Sequence, residues 1–242
     1  MNNNILIVGA SSDIGIGLIK SIKEESLIIA HYNSCDKKLL ELENKIPNKL
    51  VTARADLSSE NDTQKLLDTV ESLYGIPNKI VHLAAPKFRN IRFKDVIWKD
   101  FEDEINICLK SLILILNRFL PKLAKLKTGK VVCMLSSVTL NVPPKSLAHY
   151  TTVKYAILGL VKSLASEYAD KGIAINAISP LMIETKFLSE INEKIVEMSA
   201  YNSPLKRNAD IKDVVPMINF LLSKEADYIN GVNIPVTGGS VF

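Results

Sequence analysis

Apolar residues along the chain fall into short unbroken runs that alternate with longer stretches of helical spacing. Asn4–Val8 reads NILIV and ends at a glycine. Runs at 27–31, within 50–58, and at 79–86, 130–137, 173–179 and 231–239 have the same character. Such runs predict strands, several of them buried on both faces as in a parallel sheet. The stretches between them predict amphipathic helices. LIKSIKEE follows the first glycine-rich turn, residues 62–75 stop at Gly75, and a long helix covers roughly Trp98–Lys125. That helix carries an apolar stripe of Ile105, Leu109, Leu112, Ile113, Leu116 and Leu120, with Asn106 on or beside it. AHYTTVKYAILGLVKSLASEY predicts another helix, and 211–223 a further one whose start Pro216 leaves open. Residues 181–210 are the least regular long segment, and a lid over a site and a plain surface helix both fit them.

Strand and helix alternate without hairpin signals. That order predicts an α/β fold, with a doubly wound, seven-stranded parallel sheet between two layers of helices. No linker, repeat or low-complexity tract interrupts it, so one domain is expected over 1–242. Ligands of such folds bind at the carboxyl ends of the strands. Gly9, Asp56, Ala84 and Ser137 occupy such ends.

Composition narrows the class. The 242 residues are 47% hydrophobic and 23% charged, in the range of an ordinary globular protein. The net charge of +4 comes from 30 basic and 26 acidic residues scattered along the chain. Scattered lysines predict a solvated surface and no nucleic-acid partner. No apolar run approaches the ~18 residues of a membrane span. The N-terminus does not read as a signal peptide. Cys35, Cys108 and Cys133 form neither a disulfide framework nor a metal-ligand spacing. A cytoplasmic protein without a metal site is the expectation.

Two patterns carry chemistry. In the first, a strand, the turn GASSDIG and a helix follow one another. Gly9 lets the chain turn sharply, Gly15 and Gly17 allow close helix packing, and the helix start can hold a phosphate. In the second, Tyr150 and Lys154 lie one turn apart on one helix face, and Ser137 stands thirteen residues before Tyr150. A free phenol titrates near pH ~10. A neighbouring ammonium lowers that value towards a range useful for proton transfer. A serine hydroxyl beside it could hold a carbonyl oxygen.

Taken together, GASSDIG at 9–15, Asp56-Leu57, Asn106, Ser137, Tyr150-x-x-x-Lys154, SPLKR at 203–207 and the closing GVNIPVTGG resemble the short-chain dehydrogenase/reductase family. The resemblance covers essentially the whole chain and implies the Rossmann-type form of the three-layer fold. It implies that Tyr150 is the general acid in reduction or the base in oxidation. Lys154 would tune Tyr150 and contact the nicotinamide ribose. Ser137 would position the substrate carbonyl, and Asn106 would hold a relay water. Gly9, Ser11, Ser12, Ile14 and Gly15 would line the phosphate turn. Asp56, with Leu57 beside it, would bind the adenine; Ala84 would line the ribose; Ile183 and Thr185 would hold the carboxamide.

The chain departs from the family pattern at Val8, at Asp13 in place of the middle glycine, at His82-Leu83-Ala84-Ala85 and at Leu181. His82 reads most simply as a core histidine bonded to neighbouring backbone groups. The second strand ends at His31, Asn33 and Ser34, with no acid before Asp36. Polar and weakly basic groups tolerate a 2′-phosphate, so NADP(H) is expected over NAD(H). The expected activity is NADPH-dependent carbonyl reduction or the reverse alcohol oxidation, with 3-oxoacyl thioesters on a carrier protein among the candidate substrates. A sugar or polyol dehydrogenase, and a non-catalytic dinucleotide-binding sensor or scaffold, are the alternatives. Leu181, Met182, Phe187 and Leu188 favour a less polar substrate. The apolar faces of the LILIL and YAILGL helices, with the resemblance, predict a homodimer or homotetramer.

Overall fold

β1 (Asn4–Val8) is buried at every position and sets the plan of the molecule. Its side chains alternate, with Ile5 and Ile7 in one core and Leu6 and Val8 in the other. A computed structural model of the chain describes residues 3–185, 187 and 191–241. Around β1 it places β2 (Leu27–Tyr32), β3 (Lys49–Arg54), β4 (Lys79–His82), β5 (Gly129–Met134), β6 (Ile173–Pro180) and β7 (Asn233–Val236). The order is β3-β2-β1-β4-β5-β6-β7, and all six pairings are parallel. The expected Rossmann-type α/β sandwich is thus the observed one.

Helices cover both faces. The core on one side is closed by α1 (Asp13–Ser21) and α8 (Ile211–Leu222). The other is closed by α3 (Glu60–Tyr74), α5 (Ser111–Leu126) and α6 (Ala148–Tyr168). The short α2 (Lys37–Leu40), α4 (Trp98–Glu104) and α7 (Glu193–Asn202) complete the set. No described helix is long and apolar enough to cross a membrane. Strand order reverses between β1 and β4, which puts the ligand crevice of such a sheet at their carboxyl ends.

Three strands stop earlier than their apolar runs suggested. β3 ends at Arg54, β4 at His82 and β5 at Met134. Past these points the backbone keeps one more ladder bond and then turns. Ala55 N–H donates to Tyr32 (3.0 Å), Leu83 to Val8 (2.8 Å) and Leu135 to Ile178 (2.8 Å). Asp56, Ala84 and the Ser136–Ser137 pair therefore stand on loops just beyond the sheet.

The long helix is not uniform. Between α4 and α5 it runs as a π-helix over Ile105–Lys110. The Ser111 hydroxyl donates to the Ile107 carbonyl at 2.6 Å, the acceptor its own N–H would use in an α-helix. That N–H turns to the Asn106 carbonyl instead. One residue is gained, the helix phase rotates, and the buried face becomes Leu112, Ile115, Leu116, Phe119, Leu120 and Leu123. Ile113, expected in the stripe, is exposed.

α8 begins at Ile211 and runs through Pro216. Asp213 Oδ2 accepts from the Asp210 N–H at 2.7 Å, and the Arg207 guanidinium grips the Asp213 carboxylate from outside. Gly17, expected to bring α1 close to a strand, instead admits α8: a Cβ there would meet Ile211 Cγ2 at 2.5 Å.

Candidate active site

The glycine turn follows β1. Gly9 has φ +81°, and a Cβ on it would lie 2.8 Å from the Ala84 amide nitrogen. A Cβ on Gly15 would lie 2.4 Å from the Ala10 carbonyl oxygen. These two glycines let the turn fold flat against Leu83 and Ala84, just past β4, and let α1 start close to Ala10. An α-helix leaves its first N–H groups without intrahelical partners. Ser12 satisfies one: its Oγ accepts from Gly15 N–H at 3.1 Å and donates to the Gly9 carbonyl at 2.8 Å. Its hydroxyl is thus the helix cap of the turn. Ser11 and Ile14 are half-buried in the same turn.

The end of β2 departs from the expectation. His31 does not face a ligand. Its ring is buried, with Nδ1 accepting from Gly9 N–H at 3.1 Å and Nε2 donating to the Ala55 carbonyl at 3.1 Å. Burial pulls its pKa down to about 4, so it is neutral at pH 7. A ring with both nitrogens committed to backbone cannot receive a ribose or a 2′-phosphate. Asn33 and Ser34 are exposed beyond it, and Arg54 Nε donates to the Asn33 carbonyl at 3.1 Å.

Asp56 is half-buried, and its Oδ1 accepts from the Ser58 N–H and hydroxyl at 2.9 and 2.8 Å. That holds the carboxylate at the crevice rim. Leu57 is a core residue, so only its backbone can serve an adenine. Ala84 packs under the Gly9 turn. Ile183 pairs with Ala209 as an isolated bridge, and Thr185 Oγ1 donates to the Ile183 carbonyl at 3.4 Å.

Across the sheet, Tyr150 and Lys154 are both buried on α6. Lys154 Nζ lies 5.4 Å from the Tyr150 ring centre and donates to the Met134 carbonyl at 3.0 Å, which anchors the ammonium to the end of β5. The Ser136 hydroxyl acts on the Tyr150 phenol and favours its ionised form. Ser137, the residue at the expected spacing, opens the 3-10 turn Ser137–Thr139. Ser136 is still extended (φ −164°, ψ 156°), continuing the line of β5, whereas the chain coils at Ser137.

Burial raises the Tyr150 pKa, opposed by the Lys154 charge and the Ser136 hydroxyl. The net direction is up, against the lowering the Tyr–Lys spacing suggested. Lys154 pays a burial penalty too, but the acidic groups around it, Tyr150 first and then Cys108 and Glu104, carry its pKa above the ordinary value. The resting site is therefore a neutral phenol beside a charged ammonium.

Several residues at the site were not legible in the sequence. Glu104 is buried behind Lys154, with Cys108 Sγ 3.4 Å from its Oε2. Burial raises its pKa, and Lys154 opposes the rise. His82 is a core histidine, as expected, but its bonded partner is a side chain: Nε2 donates to Ser111 Oγ at 3.0 Å. That bond orients the Ser111 hydroxyl towards Ile107 and so supports the π-turn holding Asn106. The Asn106 carbonyl is occupied by the Ser111 N–H, and the residue is half-buried. Phe88 meets the Tyr150 ring edge-on at 5.2 Å, and Phe187 meets Phe88 at 5.6 Å. Val138 and Leu147 complete this apolar cluster. Leu188, also expected near the substrate, lies outside the described residues.

The turn, the Asp56 rim and the α1 N-terminus fit a dinucleotide, and the Tyr150–Lys154–Ser136 group fits proton exchange with an oxygen. Comparison with known proteins agrees. Residues 9–240 match a family model described as enoyl-(acyl carrier protein) reductase. The 3-oxoacyl-[acyl-carrier-protein] reductase FabG of Buchnera aphidicola is 27% identical over 235 residues, 97% of this chain and 95% of that protein. FabG of Staphylococcus aureus is 28% identical over 245 residues, 99% and 98% of the two chains. Among solved structures, a 3-oxoacyl-[acyl-carrier protein] reductase from Brucella melitensis superimposes with a TM-score of 0.88 at 20% identity, covering 98% of this chain and 90% of that one. The chain belongs to the short-chain dehydrogenase/reductase family, and it is an oxidoreductase that uses a nicotinamide dinucleotide.

Proposed function

We propose that this protein reduces a carbonyl with NADPH and that its substrate is a 3-oxoacyl thioester, presented on a carrier protein. The observation that carries the reading is the buried Tyr150 phenol, kept protonated by its surroundings and flanked by Lys154 and Ser136. A protonated phenol is the form needed to donate to an alkoxide. The relatives named above support the substrate class. The apolar setting of Phe88, Val138 and Leu147 around Tyr150 suits an acyl chain better than a sugar or polyol.

In this mechanism the bound nicotinamide supplies the hydride. The Ser136 hydroxyl holds the substrate oxygen, and the Tyr150 hydroxyl gives it a proton as charge develops. Lys154 stabilises the resulting phenolate, and its anchor at Met134 keeps the ammonium from swinging away. The segment 181–210 acts as the lid. Its base is pinned where Glu184 N–H donates to Ala209 and Ala209 N–H to Met182, while α7 above contributes no buried residue.

For the cofactor, the end of β2 offers exposed Asn33 and Ser34, and the nearest acid along the chain, Asp36, lies close to the Tyr32 hydroxyl. That arrangement tolerates a 2′-phosphate and supports NADP(H) over NAD(H). The test is NADPH consumption with 3-oxobutyryl thioesters, simple ketones and keto-sugars, repeated with NADH. Turnover of the thioester, with a lower KM for NADPH than for NADH, is expected. Turnover of keto-sugars alone would overturn the substrate reading, and a clear NADH preference the cofactor reading.

Ser136→Ala is expected to lower kcat/KM by about 10–100-fold, the scale of one lost hydrogen bond to a reacting oxygen, and Ser137→Ala by less. The reverse ranking would return the substrate contact to Ser137. A homodimer or homotetramer is part of this reading, since Ile113 and Tyr155 are exposed and Gly159 faces open space on α6. Light scattering behind size exclusion should give a multiple of the monomer mass.

A further inference from the structure

Arg54 closes the edge strand β3, and the proposed chemistry does not use it. It is the register partner of Tyr32, the last residue of β2. Its side chain is exposed and reaches across to the exit of β2, where Nε donates to the Asn33 carbonyl at 3.1 Å. One nitrogen of the guanidinium is thereby fixed, and the two terminal nitrogens keep their donors. Among the described residues Arg54 forms no ion pair with a carboxylate. Asp36, the first acid past β2, lies close to the Tyr32 hydroxyl.

The place of this cation has a chemical meaning. In a dinucleotide-binding α/β sheet the pyrophosphate lies on the first glycine turn, and the chain just past β2 meets the adenosine ribose. An acid there takes the 2′-hydroxyl, whereas a nearby arginine accommodates a 2′-phosphate. Here the chain past β2 offers Asn33 and Ser34, exposed and uncharged, and the guanidinium is tethered to the first of them. A planar fork meets phosphate oxygens in pairs, and a fork already oriented loses little freedom on binding.

We propose that Arg54 reads the 2′-phosphate of NADP(H) and so sets the cofactor preference, with its bond to Asn33 as the orienting contact. The inference rests on the NADP(H) reading and adds the residue that enforces it.

The experiment is calorimetric binding of NADPH and of NADH, without substrate, to wild type, Arg54→Gln and Arg54→Lys at low salt, with thermal melts to check folding. Arg54→Gln removes the charge and should weaken NADPH by about 10–100-fold, the scale of a charge-assisted hydrogen bond, while NADH changes by less than about 2-fold. Arg54→Lys keeps the charge without the fork, so its loss for NADPH should fall between; it decides by the same ratio if Arg54→Gln folds poorly. Equal weakening of both cofactors would show that the side chain only shapes the adenosine site, and unchanged NADPH affinity that it does not touch the phosphate. Either result overturns the proposal, and the cofactor reading stands so long as wild type favours NADPH. A wild type without that preference overturns the cofactor reading; the proposal then survives only if Arg54→Gln still weakens NADPH selectively. No binding of either cofactor by wild type overturns both.

Discussion

Tyr150→Phe is expected to lower kcat for ketone reduction by about 10²–10⁴-fold, the usual worth of a positioned general acid. The substitution removes one oxygen and little else. The ring keeps its place on α6 and its edge contact with Phe88 at 5.2 Å, so the apolar cluster around it should stay packed. The melting temperature and the dissociation constant for NADPH should therefore stay close to wild type, which separates loss of the acid from loss of the site. The pH profile adds a second check. Burial holds the phenol above its ordinary pKa, and the protonated form is the donor. Reduction should thus run undiminished through neutral pH and fall only in the strongly alkaline range. Lys154→Met removes the charge that opposes burial, so it moves the phenol pKa further up and withdraws stabilisation from the phenolate. Its kcat should fall even though its alkaline limb moves outward. Turnover by Tyr150→Phe at the wild-type rate would remove the proposed acid.

The sheet could be read from the chain because a strand buried on both faces leaves an unbroken apolar run. β1 and β6 are such strands, buried at every position. The Tyr150–Lys154 pair could be read because helical spacing fixes which side chains share a face. What escaped depended on partners, backbone and side chain, that no residue pattern displays. The role of His31 follows from Gly9 N–H and the Ala55 carbonyl converging on its ring, one from the turn after β1 and one from the end of β3. The π-turn depends on a contact between β4 and the long helix, His82 to Ser111, across 29 positions of sequence. His82 and Ser111 each look unremarkable alone. Together they shift the helix by one residue and turn Ile113 outward.

Acidification should destabilise this protein sooner than its carboxylates alone would. His31 and His82 are buried and neutral, with burial pulling their pKa values down from 6.5 to about 4 and about 3. Both folded values lie below the unfolded one, so between them the unfolded chain binds more protons than the native one. Their penalty is absent above about pH 7 and grows as pH falls through 6.5. It reaches its full size near pH 4 for His31 and near pH 3 for His82. Each histidine removes about 1.4 kcal/mol per pH unit across its window. By pH 5 the pair should have removed roughly 4 kcal/mol, a large share of a typical domain's 5–15 kcal/mol. Urea midpoints at pH 7.5, 6 and 5 measure the slope. The control is His31→Gln with His82→Gln, since an amide can both donate and accept but does not titrate. That variant should start less stable at pH 7.5 and lose much less than wild type on the way to pH 5. Parallel slopes for the two proteins would show that neither ring resists protonation, and the buried neutral pair beneath the site would have to be given up.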